Sequence, residues 1–407
     1  MTNRLKAAAS RVHRRDFLRV GAAFGMTSAL AAGALLSPGY SLSALANTAG
    51  RISEKRDASK AKHVFKLGMV YGDEQHDIQR VGVWDFVRDI EERTDGAILI
   101  DVVDSGGLCS ETKCVQQAMQ GVIDMGVSST QNGASIAPWM NALDYPFMFQ
   151  SAAQIYDFLY NPESEKAFRS VLRDRHKVEL LFSTAELRGI LMGSTFKDKP
   201  ELSQLADLKG ARIRATGTQF GQTALSLMGM NPLPVAWAET PDAMRSGLVD
   251  GMETWGGAAA AFNLAPVVSQ YLKLGFIPGT EATMIRTESL DKLEPELRDA
   301  LMESAYQTQQ VVMYGLASAQ TEIIGDTENP GPDTIYGKAG TKVIAPSDAM
   351  LEEARSLADP ENEAYASLRG RLDKMAGFDA YAAIKPVAQR LDPSVQALDV
   401  VPRRWWL

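Results

Sequence analysis

Histidine and cysteine are scarce in this chain of 407 residues, at four and two. The histidines are His13, His63, His76 and His176, and no two share the spacing of a helical HExxH pair. Two cysteines cannot build a cysteine-rich zinc site or an iron–sulfur cluster. A metal centre is therefore not expected. A basic excess is missing as well: 42 Lys and Arg stand against 50 Asp and Glu, a net charge of −8. A general nucleic-acid binder needs cations facing phosphates, so that class is excluded. The chain also lacks a Gly-rich dinucleotide loop, a P-loop and a nucleophile elbow. No cofactor and no catalytic residues are expected.

What remains is an ordinary globular balance, 45% apolar and 23% charged, which excludes wholesale disorder. At roughly 150 residues per domain, the length suits two or three domains with sizeable cores.

The chain opens with Arg4, Lys6, Arg11, Arg14, Arg15 and Arg19. A Gly- and Ala-rich apolar run follows from Val20 to Leu36, and small residues lead to Ala44-Leu45-Ala46. Charged region, apolar run and A-x-A site are the parts of an export signal. The run is interrupted by Gly21, Gly25 and Gly33 and falls short of the ~20 strongly apolar residues of a membrane span. His13-Arg14-Arg15-Asp16-Phe17-Leu18-Arg19 resembles a twin-arginine signal. Cleavage after Ala46 removes six basic residues and Asp16, taking the net charge from −8 to −13. The expected product is a soluble, acidic periplasmic protein. In that oxidising compartment the neighbours Cys109 and Cys114 are expected to pair. So short a ring contributes only ~2 kcal/mol of loop-closure entropy, enough to pin a loop onto a helix start.

After a polar stretch, strand and helix signals alternate. Val64 to Met69 reads as a strand. Val83, Phe86, Val87 and Ile90 recur at helical spacing, with Asp77 as candidate start cap and Gly96 as stop. Ala97–Val103 and Val122–Ser128 read as strands flanking a helix over Ser110–Gly121. Further strands are expected at Val178–Ser183, Ala211–Thr216 and Leu272–Ile277, with helices at Gln219–Met228 and Ala238–Gly247. A long helical pattern runs from about Pro295 to Ile324. Such alternation argues for an α/β protein with mostly parallel sheets, and two lobes suit the size. Ligands in such folds bind at the carboxyl ends of strands.

Six stretches then occur in a telling order: Glu91-Glu92-Arg93-Thr94-Asp95-Gly96; Ala118 to Met125; Leu143-Asp144-Tyr145-Pro146-Phe147-Met148-Phe149; Asp207 to Arg214; Pro234-Val235-Ala236-Trp237-Ala238-Glu239; and Gly247 to Glu253. Each is weak alone. As an ordered set over Val64 to Glu353, the chain resembles the solute-binding proteins of tripartite ATP-independent periplasmic (TRAP) transporters.

The resemblance implies a two-lobed α/β periplasmic binding fold, with the ligand cleft between lobes joined by crossing strands and a long helix. It implies capture of a small organic acid and delivery to membrane permease subunits, driven by an ion gradient, with no chemistry on the solute. The expected organisation is an export signal over 1–46, a flexible lead-in over 47–62, a first lobe from 63–185 plus about 275–310, a second from 186–274 plus about 311–356, and a C-terminal extension over 357–407. The extension holds enough apolar residues to wrap a lobe or to form a homodimer, and both readings stand.

Arg214 matches the family arginine that grips the ligand carboxylate. A guanidinium is always charged and offers paired donors. Arg212 shares its strand face by the two-residue period, so spacing alone does not choose between them; the resemblance chooses Arg214. Arg188 matches a second arginine, which touches the ligand or supports Arg214. Trp237 stands where relatives place an aromatic against the solute, and Glu239 is read as a brace for the following helix. Met252-Glu253-Thr254-Trp255 departs from the pattern, because many relatives have Gln-Glu-Asn-Pro there. Another branch sets Glu beside Trp, and some members hold a cation. Glu253, Thr254 and Trp255 stay candidates, and two tryptophans suggest flat apolar walls. That raises an aromatic or hydrophobic carboxylate above a small keto-, hydroxy- or dicarboxylic acid. Gln131 and Asn132 after the third strand, and Tyr71 and Gly72 after the first, are further candidates. A periplasmic cofactor enzyme and a ligand sensor are the rival readings.

Overall fold

The computed structural model describes residues 58–407. The expected export signal and residues 47–57 of the lead-in lie outside the described residues. What the structure shows of the lead-in is a short turn, Ala58–Lys60.

Two mixed sheets organise the chain. The first runs β2-β1-β3-β10-β4, from β1 (His63–Gly68), β2 (Ile98–Val103), β3 (Met125–Ser129), β4 (Val178–Leu187) and β10 (Pro278–Arg286). The second runs β11-β9-β5-β8-β6-β7, from β5 (Gly189–Met192), β6 (Arg212–Ala215), β7 (Asn231–Pro234), β8 (Gly251–Thr254), β9 (Gln270–Leu272) and β11 (Lys342–Ile344). Parallel pairs lie at the β2-β1-β3, β8-β6-β7 and β11-β9 parts, and antiparallel pairs at β3-β10-β4 and β9-β5-β8. The sheets are therefore mixed, because β10 and β5 run against their neighbours to carry the chain between them.

The local reasons are visible. Phe65 and Leu67 of β1 point inward while Val64 is exposed, the period of a half-buried strand. Val83, Phe86, Val87 and Ile90 are buried on one face of the helix Val83–Arg93. Its cap is Gly82, not Asp77, which lies inside a preceding helix, Asp73–Gln79. Gly82 has φ +82°, and a Cβ there would fall 2.4 Å from a Val312 methyl, so close packing and backbone sign both require glycine. The third strand starts at Met125 rather than Val122, which is exposed in the preceding turn. Leu272–Ile277 is strand only to Leu272. The chain then turns at Gly275, φ +68°, before entering β10.

Cys109 and Cys114 are disulfide-bonded. The bond sits at the start of the helix Glu111–Gln120, against two glycines whose Cβ would meet Cys109 Sγ at 2.6 Å (Gly68) and Cys114 O at 2.9 Å (Gly126). It thus seats the first turn of that helix, with Glu111, over the ends of β1 and β3.

The chain crosses between the sheets in four places, the last over residues 359–364, from the helix Asp348–Leu357 in the second sheet's core to Tyr365 in the first. At the first, the Arg188 backbone joins β4 to β5, its N–H donating to Ile277 O (2.9 Å) and its carbonyl accepting from Gly275 N (3.0 Å). Residues Leu274–Ile277 are therefore the second crossing, hydrogen-bonded to the first. The third is the end of the helix Pro295–Ala319, continued by a wider turn over Gln320–Ile324. Val312 and Met313 pack in the first core, Ala319 and Ile324 in the core beneath the second sheet. Gln309 fastens the helix to β4: its Oε1 accepts from Ser183 N (2.7 Å) and its Nε2 donates to Ser183 O (3.0 Å).

The C-terminal segment packs on its own chain. Helices Ala366–Ala376 and Ala380–Ala388 bring Phe378 against Trp139 and Tyr381 against Tyr145. Trp405 is buried edge-on to Tyr160, with the Arg169 guanidinium 4.4 Å from its ring centre. Tyr365 stacks on Phe220, 5.4 Å centre to centre, and Phe220 belongs to the helix Gln219–Leu227 that follows β6. The segment thus touches elements of both sheets.

Candidate functional site

A narrow cavity lies between the two sheets, beside the first crossing. Its walls are Tyr71, Glu111, Ser129, Asn132, Arg188, Thr216, Trp237, Thr254, Trp255, Ala258, Phe262 and Glu281. Its volume is about 10 Å³, about what one water molecule needs. A solute therefore requires the lobes to part.

The topology explains the convergence. Tyr71 follows β1, Ser129 ends β3, Thr216 follows β6 and Thr254 ends β8, so four strands deliver their carboxyl ends to one place. Trp255 leads into the helix Gly256–Ala261, which presents Ala258. Phe262 meets Tyr71 edge-on at 5.5 Å and Trp237 at 5.4 Å. A Cβ on Gly279 would fall 2.4 Å from the Trp255 ring, so the missing side chain is what seats the indole.

The two arginines differ. Arg188 is buried and already paired: Nε donates to Glu253 Oε2 at 2.5 Å and Nη2 to Glu253 O at 3.4 Å, and the guanidinium stacks 4.7 Å from the Trp255 ring centre. Glu253 spends its other oxygen on Thr216, accepting from N (2.6 Å) and Oγ1 (2.8 Å). Glu253 is thus a bracket between Arg188 and β6 rather than a wall. Gln131 also turns away from the cavity, donating to Asp144 Oδ1 at 2.6 Å and lying 3.5 Å from Arg188 Nη1. Burial pushes the Asp144 carboxyl up to about 7; Gln131, Thr218 and Arg188 ease that only in part.

Arg214 is as deeply buried, yet it has no acid of its own. Nε donates to Val235 O at 3.0 Å, the guanidinium lies 5.1 Å from the Trp237 ring centre, and Nη1 has no partner. Burial pulls its pKa down to about 10; Glu253 opposes that shift and Arg188 adds to it. It stands behind Trp237 rather than on the wall itself. Arg212 takes the other course: it is exposed and pairs with Asp250 at 2.7 Å.

Of the residues singled out from sequence, Tyr71, Asn132, Arg188, Trp237, Thr254 and Trp255 line the cavity, while Arg214, Glu253 and Gln131 stand directly behind it. Thr254 Oγ1 and Trp255 Nε1 are buried without partners. Glu239 is exposed at the start of the helix Thr240–Arg245 and makes no side-chain capping bond. Sequence reasoning missed Glu111, Ser129, Thr216, Ala258, Phe262 and Glu281. Glu281 carried one signal: an isolated carboxylate within a strand whose other residues are mainly small or apolar.

A larger groove, about 760 Å³, opens elsewhere around Phe147, Lys273, Gly275 and Arg355. Size favours it; chemistry does not. Lys273 is committed to Asp326 at 2.9 Å, Arg355 lies over the Phe147 ring, and none of its walls holds a buried polar atom in want of a partner. Among the described residues, no group of three His, Cys, Asp or Glu is placed to hold a metal ion, and no helix is long and apolar enough to cross a membrane.

Residues 69–367 match the family model of bacterial extracellular solute-binding proteins, family 7. The 2,3-diketo-L-gulonate-binding periplasmic protein YiaO of Escherichia coli is 26% identical over 288 residues, covering 67% of this chain and 84% of that protein. Among solved structures, a TRAP periplasmic solute-binding protein from Sulfitobacter with bound β-D-galacturonate superposes with a TM-score of 0.64 at 18% identity, covering 80% of this chain and all of that one. One from Desulfovibrio salexigens with bound orotic acid gives 0.65 at 17% identity, covering 79% and 100%.

Proposed function

The chain belongs to the bacterial extracellular solute-binding proteins of family 7, the binding subunits of TRAP transporters, and from that premise we propose that it captures an organic acid by closing over it around Arg214. The observation that carries the reading is a buried guanidinium with an unpartnered Nη1 behind a narrow cavity at four strand ends. A carboxylate offers it the two acceptors it lacks. YiaO and the galacturonate- and orotate-bound relatives each take a small acid.

Arg188 then has a different task. Its backbone is a crossing between the sheets and its side chain is spent on Glu253, so it supports the site and offers the solute at most one edge. Trp237, Trp255, Phe262 and Tyr71 supply flat walls, which suit a planar or apolar acid better than a small dicarboxylate. The lobes turn about the crossings between the sheets. The solute, bridging both, shifts the balance toward the closed form that membrane permease subunits meet. Its relatives are binding proteins, which supports transport without chemistry on the solute. Export is read as twin-arginine-type, supported by His13-Arg14-Arg15-Asp16-Phe17-Leu18.

Native mass spectrometry of gently purified mature protein, followed by extraction, tests the reading. One small carboxylate per chain is the expected result. A tightly held metal or covalent cofactor in its place would favour a periplasmic enzyme.

A further inference from the structure

Glu281 has no counterpart in the anion-binding account. It lies in β10, paired across to Ser129 of β3 and Thr184 of β4 in a strand buried along almost its whole length. It is 1% exposed and faces the cavity, and the one donor near its carboxyl oxygens, the Tyr71 hydroxyl, falls short of full hydrogen-bonding geometry. Burial raises its pKa well above the ordinary range and Glu111 adds to that; the Tyr71 hydroxyl and Arg188 offset it in part. Without a cation beside it such a carboxyl is held protonated, and a cation at its face is what would let it ionise.

The charges around the cavity can be matched one by one. Arg188 is answered by Glu253. Glu111, seated by the disulfide, uses Oε1 to accept from Ser129 N at 3.2 Å. What remains is one cation without an acid, Arg214 behind Trp237, and two acids without a base, Glu111 and Glu281, on the cavity wall. A simple anion would satisfy the first and worsen the second, since its charge would join Glu111 against Glu281.

Resting on the carboxylate reading above, we propose that the solute is a zwitterion whose carboxylate meets Arg214 and whose ammonium group, plain or methylated, meets Glu281. The surrounding rings fit this assignment. Tyr71 and Phe262, in edge-on contact, add faces on which an ammonium is attracted by the ring quadrupole, and Glu111 adds a second negative charge. Trp237 and Trp255 already carry the two guanidinium groups on their faces, so they remain walls at the carboxylate side.

The test uses the mature full chain and two matched pools. One holds α-amino acids and their N-trimethyl forms; the other holds the 2-hydroxy and 2-keto acids of the same skeletons. Native mass spectrometry reads which pool yields a one-to-one complex, and calorimetry then titrates the bound compound and its partner from the other pool. The expected result is a complex from the first pool, weakened at least about 30-fold on removing the amino group and by a similar factor in Glu281→Gln. The matched compounds on the wild type make the test independent of how the variant folds. A complex from the second pool, bound equally well by Glu281→Gln but lost in Arg214→Ala, would overturn the zwitterion and leave the organic-acid reading standing. No complex from either pool would overturn the zwitterion proposal.

Discussion

Arg188 Nε lies 2.5 Å from Glu253 Oε2, and both side chains are 1% exposed. This pair joins the first crossing to the end of β8, and through Thr216 to the end of β6. Removing one member of a buried ion pair leaves the other charged and unpaired, at a cost of ~3–5 kcal/mol. Arg188→Ala is therefore expected to lower the denaturant midpoint clearly. Retention of wild-type stability would contradict the bracket role given to Glu253.

Arg214 should behave in the opposite way. No acid is paired with it, so Arg214→Ala removes an uncompensated buried cation. Its melting temperature is expected to match or exceed the wild type while solute binding is lost. Comparing melting curves of the two arginine variants with and without solute separates a supporting arginine from a binding one.

The disulfide's effect should appear in binding more than in folding. The bond between Cys109 and Cys114 closes a ring worth only ~2 kcal/mol in loop entropy, but it seats the helix that carries Glu111 to the cavity. A double Cys→Ser variant is expected to stay folded by circular dichroism, melt a few degrees lower, and bind more weakly. Unchanged affinity would show that Glu111 is held by the helix alone.

Two buried groups set opposing pH slopes. Asp144 is raised by burial from its ordinary value to about 7, so the unfolded chain ionises first and the stability of the protonated form is lost as pH rises from about 4 to about 7. His176 is lowered by burial to about 4, with Arg175 adding to the shift, so its contribution is present above about 6.5 and lost as pH falls toward 4. Asp144→Asn should flatten the decline between about pH 4 and 7 in a melting series and leave the His176 decline in place. A parallel shift of the whole curve would contradict the assignment.

The tail's last fully buried side chain is Trp405, held between Tyr160 and the Arg169 guanidinium. Trp405→Ala is expected to cost ~3–5 kcal/mol, read in urea unfolding. A cost below about 1 kcal/mol would mean that the tail packs loosely.

Much of this arrangement could be read from the residues. The amphipathic helix at Val83–Arg93, the long helix from Pro295 and the strand carrying Arg214 all announce themselves through periodicity, because each buries one face or a continuous run. Tyr71, Asn132 and Trp255 follow strands, where α/β folds gather ligand groups. Glu281 was hidden for a physical reason. Pro278 and Gly279 look like chain breakers, yet they begin a long strand, with Gly279 making room for Trp255. Glu111 and Glu281 stand 170 positions apart, and only the antiparallel pairing of β3 with β10 brings them near Ser129. Arg214 and Arg212 share a strand period, but Asp250 claims Arg212 at the exposed start of β6 and leaves Arg214 to the interior.

The central claim, closure around the Arg214 guanidinium, is tested most directly by calorimetry. The compound identified by native mass spectrometry is titrated into the wild type and into Arg214→Ala. The account predicts one site per chain in the wild type and a loss of ~3–5 kcal/mol, at least about a hundredfold, in the variant. Equal affinity in the two proteins would contradict it.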